Sequence, residues 1–379
     1  MEDYNRKKIV FVVNVDWFFI SHRLPLAIHA KEKGFDVYLL THNTGRKDEI
    51  ESKGIHFIEI PFERSGRNPF HELKCIYLLI KNYKNVKPNI IHHITLKAAL
   101  LGSIAAKISN NYNVINAISG LGYNFTDSRN GIFQKILKFL IKLSFKSKRF
   151  FFILQNPDDI KMMKSLNLTD ESHYCLIKGS GVNLQEYAFS DFFEKTILNV
   201  VFPARILLDK GVLEFIKAAT LLETKYKGKV IFKLAGSCDK DNLAGLSESQ
   251  LKKYLIPNYI EWIGFQKDMI PIYRESDIVV LPSYREGLPK SLIEACAIGR
   301  PIVTTDVPGC KECVIEGKNG FLVPAKDCES LSCAIEKLIE QPRLRIDFSL
   351  ESRKLAEREF SIENVINKTF SIYDSILKS

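Results

Sequence analysis

The sequence has no run of about 20 uninterrupted apolar residues, so no segment is expected to cross a bilayer. The longest apolar stretch near the N-terminus, Ile9 to Ile20, is too short and carries Asn14 and Asp16. No secretory leader is expected, because Met1 to Lys8 is polar and charged. The eight cysteines (Cys75, Cys175, Cys238, Cys296, Cys310, Cys313, Cys328, Cys333) are scattered. These features exclude a small disulfide-stapled module and read as cytosolic thiols. There is no low-complexity stretch, and no repeat at periods of about 20 to 50 residues that would indicate a solenoid. What is present is an ordinary globular composition, 46% hydrophobic and 26% charged over 379 residues. That length favours two or more domains, each with its own core.

The formal net charge of +10 is unevenly distributed. Residues 1–190 hold 27 Lys+Arg against 17 Asp+Glu, whereas residues 191–379 hold 27 against 27. The first half is therefore suited to an anionic partner such as a phospholipid surface, a polyphosphate or nucleic acid. The second half is electrostatically ordinary.

Apolar runs alternate with helix-like stretches. Lys8 to Val15 is followed by a helical spacing over Ser21 to Gly34; Val37 to Leu40, Ile55 to Ile60, Ile90 to Ile94 and Val114 to Ile118 continue the strands, with helices expected over Glu72 to Tyr83 and Lys97 to Ile108. The pattern restarts at Ile197 to Phe202 and runs through Val230 to Ala235, Ile260 to Ile263, Ile278 to Leu281 and Pro301 to Thr304. Strand–helix alternation means a parallel sheet wound on both faces, here twice. The expected division is a first Rossmann-like domain over 1–190, a second over 191–360, and a final helix over 361–379 that crosses back to the first.

Two motifs carry chemistry. After the strand ending at Pro282, Glu286 and Glu294 flank a Gly287-Leu288-Pro289-Lys290 turn. Gly287 lets backbone N–H groups approach a ligand, and Pro289 suits the first position of a helix whose amino end can bind anionic oxygens. Glu294 would lie one turn inside that helix, placed to accept hydrogen bonds from paired ribose hydroxyls, with Glu286 serving hydroxyls further along the ligand. The competing reading is a surface glutamate and a helix-N-terminal glutamate. Upstream, Arg205 and Lys210 flank the first strand-to-helix loop of the second half, where two cations beside a helix amino end make a diphosphate site. A solvated basic pair is the bland alternative.

An Arg-x4-Lys-Gly loop followed by Glu-x7-Glu resembles the donor site of glycosyltransferase family 4, the retaining nucleotide-sugar enzymes. Lys229 to Gly236, Glu261 to Asp268, Gly299 to Gly309 and Asn319 to Pro324 extend the resemblance over nearly the whole chain. It implies an α/β fold of GT-B type, two Rossmann-like domains facing across a cleft. On these positions it implies that Arg205 and Lys210 hold the donor diphosphate and stabilise the leaving group, that Glu294 holds the ribose, and that Glu286 with the Gly287, Leu288, Pro289 and Lys290 backbone holds the transferred sugar. Gly236 would lie near the nucleotide.

In the first half, Ser21 to Ala27, Ile94 to Lys97, Ser119-Gly120-Leu121-Gly122-Tyr123 and Gln155 to Asp159 look like bacterial members that extend polyprenyl-diphosphate-linked sugars for O-antigen, capsule or protein glycans. Two departures stand out. Asn14-Val15-Asp16-Trp17 replaces the double glycine many members carry, and Ser119 replaces a histidine common before the Gly-Leu-Gly stretch. On the acceptor side the candidates are His22, Arg23, His93, Lys97, Ser119 and Gly120, with His92 nearby. For the histidines a structural role competes; for Lys97 and Arg23, a solvated helix start.

Lys135, Lys138, Lys142, Lys146 and Arg149 recur at intervals of three and four, with apolar residues between them. Such a basic amphipathic helix can lie on an anionic bilayer, or simply cover a core with a wet face. Two metal sites are set aside: Asp239-Lys240-Asp241 reads as a polar loop, and Cys310-x2-Cys313 with Cys328 and Cys333 has poor zinc spacing.

The expectation is a metal-independent retaining transferase with no cofactor. It would move an N-acetylhexosamine such as GalNAc, in α linkage, from a UDP-sugar to a polyprenyl-diphosphate-linked saccharide, at the inner face of a bacterial plasma membrane. A UDP-sugar 2-epimerase of the same architecture is the alternative. A nucleic-acid-binding protein is a remote one, since no recognition-helix, RRM or OB pattern is present.

Overall fold

The structure is a computed structural model that describes residues 6–63, 68–109, 113–118, 131–192, 195–239, 242 and 244–378, the side chains of 131–137 excepted. It divides into two compact units, Met1–Ser180 with Val365–Ser379, and Gly181–Asn364.

The first unit holds β1 (Lys8–Val15), β2 (Asp36–His42), β3 (His56–Glu59), β4 (Ile90–Ile94), β5 (Asn113–Ile118), β6 (Phe150–Leu154) and β7 (Tyr174–Leu176). They form one sheet in the order β3-β2-β1-β4-β5-β6-β7, every pair parallel. Parallel neighbours need crossover connections, which cover both faces and make the strands continuously apolar. Alternation along β1 assigns the faces. Ile9, Phe11 and Val13 pack with Phe19, Leu26 and the C-terminal Tyr373, while Val10 and Val12 pack with Leu79, Tyr83 and Ala98.

The helix expected over Ser21 to Gly34 is instead two, Asp16–His22 and Leu24–Glu32, broken at Arg23. Pro25 explains the break: it has no N–H to continue the first helix, yet it suits the opening turn of the second. Beyond β7, residues 181–190 belong to the second unit. Val182 donates its N–H to Phe360 O at 2.8 Å, and Arg300 Nη2 donates to Ser190 O at 2.7 Å.

The second unit contains β8 (Leu198–Phe202), β9 (Val230–Ala235), β10 (Ile260–Gly264), β11 (Ile278–Leu281), β12 (Ile302–Thr305) and β13 (Gly320–Val323). Their order is β10-β9-β8-β11-β12-β13, again all parallel. Phe215, on the helix Val212–Tyr226, sits between Phe202 and Phe232 with ring centroids 5.4 and 5.7 Å away. Truncating an aromatic of this kind costs about 3–5 kcal/mol, and it fixes the helix that follows the first loop of the site. In both sheets the chain reverses its direction of winding between two adjacent central strands, β1 and β4 in the first and β8 and β11 in the second. Ligands of open parallel sheets bind at the carboxyl ends of such strands.

Candidate active site

The loops leaving β8 and β11 meet at the switch point of the second sheet. After β8 the chain makes a single 3-10 turn, Leu208–Lys210, then passes Gly211 into the helix Val212–Tyr226. Gly211 has φ +76°, and a Cβ there would fall 2.0 Å from Pro282 O, so only glycine lets the two loops come this close. Asp209 O ties them together, accepting from Tyr284 N at 2.9 Å and Ser283 Oγ at 3.0 Å.

This approach brings the predicted cations and carboxylates together. Lys210 Nζ donates to Glu286 Oε1 in a short, largely buried ion pair. Glu286 is itself anchored by its N–H, which donates to Pro308 O at 3.1 Å. Arg205 Nη1 pairs with Asp239 Oδ2 at 2.5 Å. The polar sequence around Asp239 suggests an ordinary loop; its side chain in fact orients the guanidinium. Of the other residues in that Asp-x-Asp stretch, Lys240 and Asp241 lie outside the described residues. Gly236 follows β9 under the same loop. Its carbonyl accepts from Trp262 Nε1 at 2.7 Å, and a Cβ on it would meet Ala204 O at 1.9 Å.

The helix Lys290–Ile298 carries the second glutamate. Pro289 stands one place earlier than expected, at the N-cap with an extended ψ of 117°, because its carbonyl, accepting from Leu292 and Ile293, closes the first turn. Gly287 and Leu288 lead into it, Leu288 packing into the core. Glu294 is 7% exposed. Its Oε1 accepts from Tyr187 OH at 3.1 Å and lies 3.4 Å from Lys290 Nζ, while Oε2 accepts from Tyr273 OH at 3.2 Å. Burial pushes its proton affinity up, and Lys290 and the two tyrosines pull it back toward the carboxylate. Two cations paired with carboxylates, a buried glutamate and the first turn of a helix thus stand at the carboxyl end of one sheet, groups whose chemistry suits an anionic, hydroxyl-bearing ligand.

Of the first unit's candidates, His22 is stacked on Phe18 with ring centroids 3.9 Å apart. Arg23 is buried, donates to His22 O at 3.0 Å, and is brought down to about 10 by burial. Lys97 is committed to Glu72 at 2.6 Å and Glu63 O at 2.7 Å, not to solvent. His92 and His93 lie within β4 rather than beyond it, and both are enclosed. Adjacent strand residues point to opposite faces. His92 Nδ1 thus meets Tyr373 OH at 2.7 Å on one side, while His93 on the other meets Asn116 Oδ1 at 2.8 Å and Tyr83 OH at 2.9 Å. Ser119 and Gly120 lie outside the described residues. At the switch point, Thr95 Oγ1 donates to Asn14 Oδ1 at 3.0 Å, and Thr95 holds φ 76°, ψ 155°, a region that non-glycine residues rarely adopt.

Burial lowers His93 to about 4 from an ordinary 6.5. The unfolded state therefore binds the proton first as pH falls. The stability this imidazole contributes is complete above about pH 6.5 and is lost toward pH 4, about 3 kcal/mol in all. Burial pushes His92 the same way. Urea unfolding at pH 7 and pH 4.5 should show this loss, and His93→Gln should flatten the dependence.

The basic helix runs over Gly131–Phe145, so Lys146 follows its last residue and Arg149 lies in the turn before β6. Ile141 and Phe145 enter the core, while Lys138, Phe139, Leu140, Lys142, Leu143 and Lys146 are exposed. The side chain of Lys135 is outside the described set. Among the described residues, no helix is long and apolar enough to cross a membrane.

Two parallel α/β units, with this candidate site at the carboxyl end of the second sheet, have the architecture of the GT-B glycosyltransferase fold. Sequence profiles agree: "Glycosyl transferases group 1" matches residues 185–355 and "Glycosyl transferase 4-like" matches residues 8–156. The chain belongs to glycosyltransferase family 4. It is 29% identical, over 95% of its length and 99% of the relative's, to the Campylobacter jejuni N,N'-diacetylbacillosaminyl-diphospho-undecaprenol alpha-1,3-N-acetylgalactosaminyltransferase. The Staphylococcus aureus capsular polysaccharide biosynthesis glycosyltransferase CapM is 27% identical over 92% of both chains. Anabaena HepE, solved in complex with UDP and glucose, superposes with a TM-score of 0.77 over 98% of this chain and 100% of that one, at 16% identity.

Proposed function

We propose that the protein transfers an N-acetylhexosamine, GalNAc in α linkage, from its UDP-sugar to a polyprenyl-diphosphate-linked saccharide at the inner face of the bacterial plasma membrane. The observation that carries the donor half is the meeting of the β8 and β11 loops at the switch point, which pairs Lys210 with Glu286, with Arg205 on the β8 side and Glu294 on the helix after β11. The UDP bound to HepE and the lipid-linked acceptor in the name of the Campylobacter relative support the choice of substrates.

In this reading the donor diphosphate draws Arg205 and Lys210 from Asp239 and Glu286, and Glu286, released, meets the sugar hydroxyls together with the Gly287 to Lys290 backbone. The bond from the anomeric carbon to the phosphate oxygen breaks, and the bond to the acceptor oxygen forms on the same face. The acceptor's proton passes to the departing diphosphate. Negative charge growing on that group is met by the two cations and the helix amino end, with no metal required. The acceptor lies against the first unit. The exposed lysines and apolar side chains of Gly131–Phe145 rest on anionic lipid.

A panel of UDP-sugars, incubated with and without a synthetic polyprenyl-diphosphate saccharide, tests this. UDP release should require the acceptor, be fastest with UDP-GalNAc, and persist in excess EDTA. Interconversion of nucleotide sugars without acceptor would make the protein an epimerase. Loss of turnover in EDTA with rescue by magnesium would overturn the cation-only mechanism.

A further inference from the structure

The environment of Glu294 is more elaborate than ribose recognition alone demands. A helix-borne glutamate could reach a vicinal diol unaided, yet this one is gripped from outside its helix by two phenols. Tyr187 comes from the segment after Gly181 and holds Oε1 at 3.1 Å. Tyr273 comes from the helix Ile270–Glu275, is fully buried, and holds Oε2 at 3.2 Å. Neither tyrosine belongs to the Arg-x4-Lys or Glu-x7-Glu pattern, and each hydroxyl spends its one proton on this carboxylate.

We propose that Tyr187 and Tyr273 are positioning residues for the donor nucleoside, fixing the plane of the Glu294 carboxylate so that its remaining acceptor site, on Oε2, is presented to the ribose diol. The proposal rests on the reading of Glu294 as the ribose acceptor. An ionised carboxylate offers about four acceptor sites. Tyr187 and Lys290 account for the two sites of Oε1 and Tyr273 for one of Oε2, which leaves one site on Oε2 for a ribose hydroxyl. A free glutamate would have to surrender its rotamers on binding; a clamped one has already done so. The clamp also opposes the protonation that burial favours. The titratable groups facing the carboxyl are Lys290 on its own helix and the two tyrosines, with Glu186 and Asp268 acting on Tyr187. Burial favours the neutral acid, and these donors oppose it.

Calorimetric titration with UDP and with 2′,3′-dideoxyuridine diphosphate, which lacks both hydroxyls, separates positioning from general packing. Wild type should bind UDP at least about tenfold more tightly than the dideoxy analogue. Tyr187→Phe and Tyr273→Phe should each weaken UDP by about five- to tenfold, about 1–1.4 kcal/mol, and leave the dideoxy analogue nearly unchanged. In a Glu294→Gln background the Tyr187→Phe effect should largely vanish. The acid limb of UDP affinity should also move to higher pH in the Phe variants. Equal weakening toward both diphosphates would reduce the tyrosines to structural supports and overturn the proposal. A wild type that does not discriminate between the two would overturn the ribose reading itself. Tyr187 is only partly buried, so its variant decides between these outcomes even if the Tyr273 variant unfolds.

Discussion

Arg205→Ala and Lys210→Ala should each lower kcat/KM by roughly two to three powers of ten, about 2.7–4 kcal/mol of transition-state stabilisation. The size follows from where charge appears. In the bound donor one electron pair is shared in the bond between the anomeric carbon and the phosphate oxygen; as that bond breaks, a full unit of negative charge develops on the leaving oxygen, beside two cations that the bound diphosphate has already drawn from Asp239 and Glu286. Pre-positioned groups need no reorganisation at that moment. The larger part of the loss should therefore fall on kcat, with a smaller rise in KM for the donor. Arg205→Lys should rescue only partly, because an ammonium lacks the planar fork with which a guanidinium holds a phosphate. Each variant should stay folded, with a lowered melting temperature for Lys210→Ala, which leaves the largely buried Glu286 without its cation. Steady-state kinetics on folded protein checks all of this. Wild-type turnover in either alanine variant removes that residue from the mechanism.

The second large effect is expected at the lipid surface. Reversing Lys138, Lys142 and Lys146 to glutamate should abolish sedimentation with anionic vesicles and sharply reduce activity on a polyprenyl-linked acceptor. Activity on a short water-soluble analogue should change little. Each lysine near an anionic surface contributes about 1 kcal/mol, so removing three costs about 3 kcal/mol before repulsion from the new carboxylates is added. Phe139 and Leu143, 65% and 54% exposed, would on this proposal supply the apolar insertion that charge alone does not. The buried Ile141 and Phe145 are untouched, so the fold should survive. Raising salt should imitate the reversal in wild type. Unchanged vesicle binding after reversal returns this helix to a core element with a wet face.

Much of the site is legible in the sequence because its chemistry depends on spacing along the chain. Arg205 and Lys210 bracket one loop, Glu286 and Glu294 another, and strand–helix alternation places both loops at the same end of a parallel sheet. The partners are not legible, because tertiary contacts choose them. Asp239 pairs with Arg205 from 34 residues away, and Tyr187 reaches Glu294 across 107. Neither is marked by local pattern. The same limit misplaces His93: a polar residue near the end of an apolar run resembles a strand terminus exposed to ligand, and only Asn116 on the neighbouring strand and Tyr83 on the covering helix reveal a satisfied core imidazole. β6 escapes a sequence reading because Phe150 to Leu154 follows the basic helix so closely that a short apolar run cannot be told from the helix's own continuation by periodicity.

The most direct test of the central claim is the anomeric configuration of the product made from UDP-GalNAc, whose sugar is α-linked, and a synthetic polyprenyl-diphosphate saccharide, read from the one-bond C–H coupling at the new linkage. Retention, an α-linked GalNAc on the lipid-linked glycan, is the result predicted by same-face attack on a leaving group held by Arg205 and Lys210. A β-linked product would contradict it and require a general base on the opposite face of the sugar.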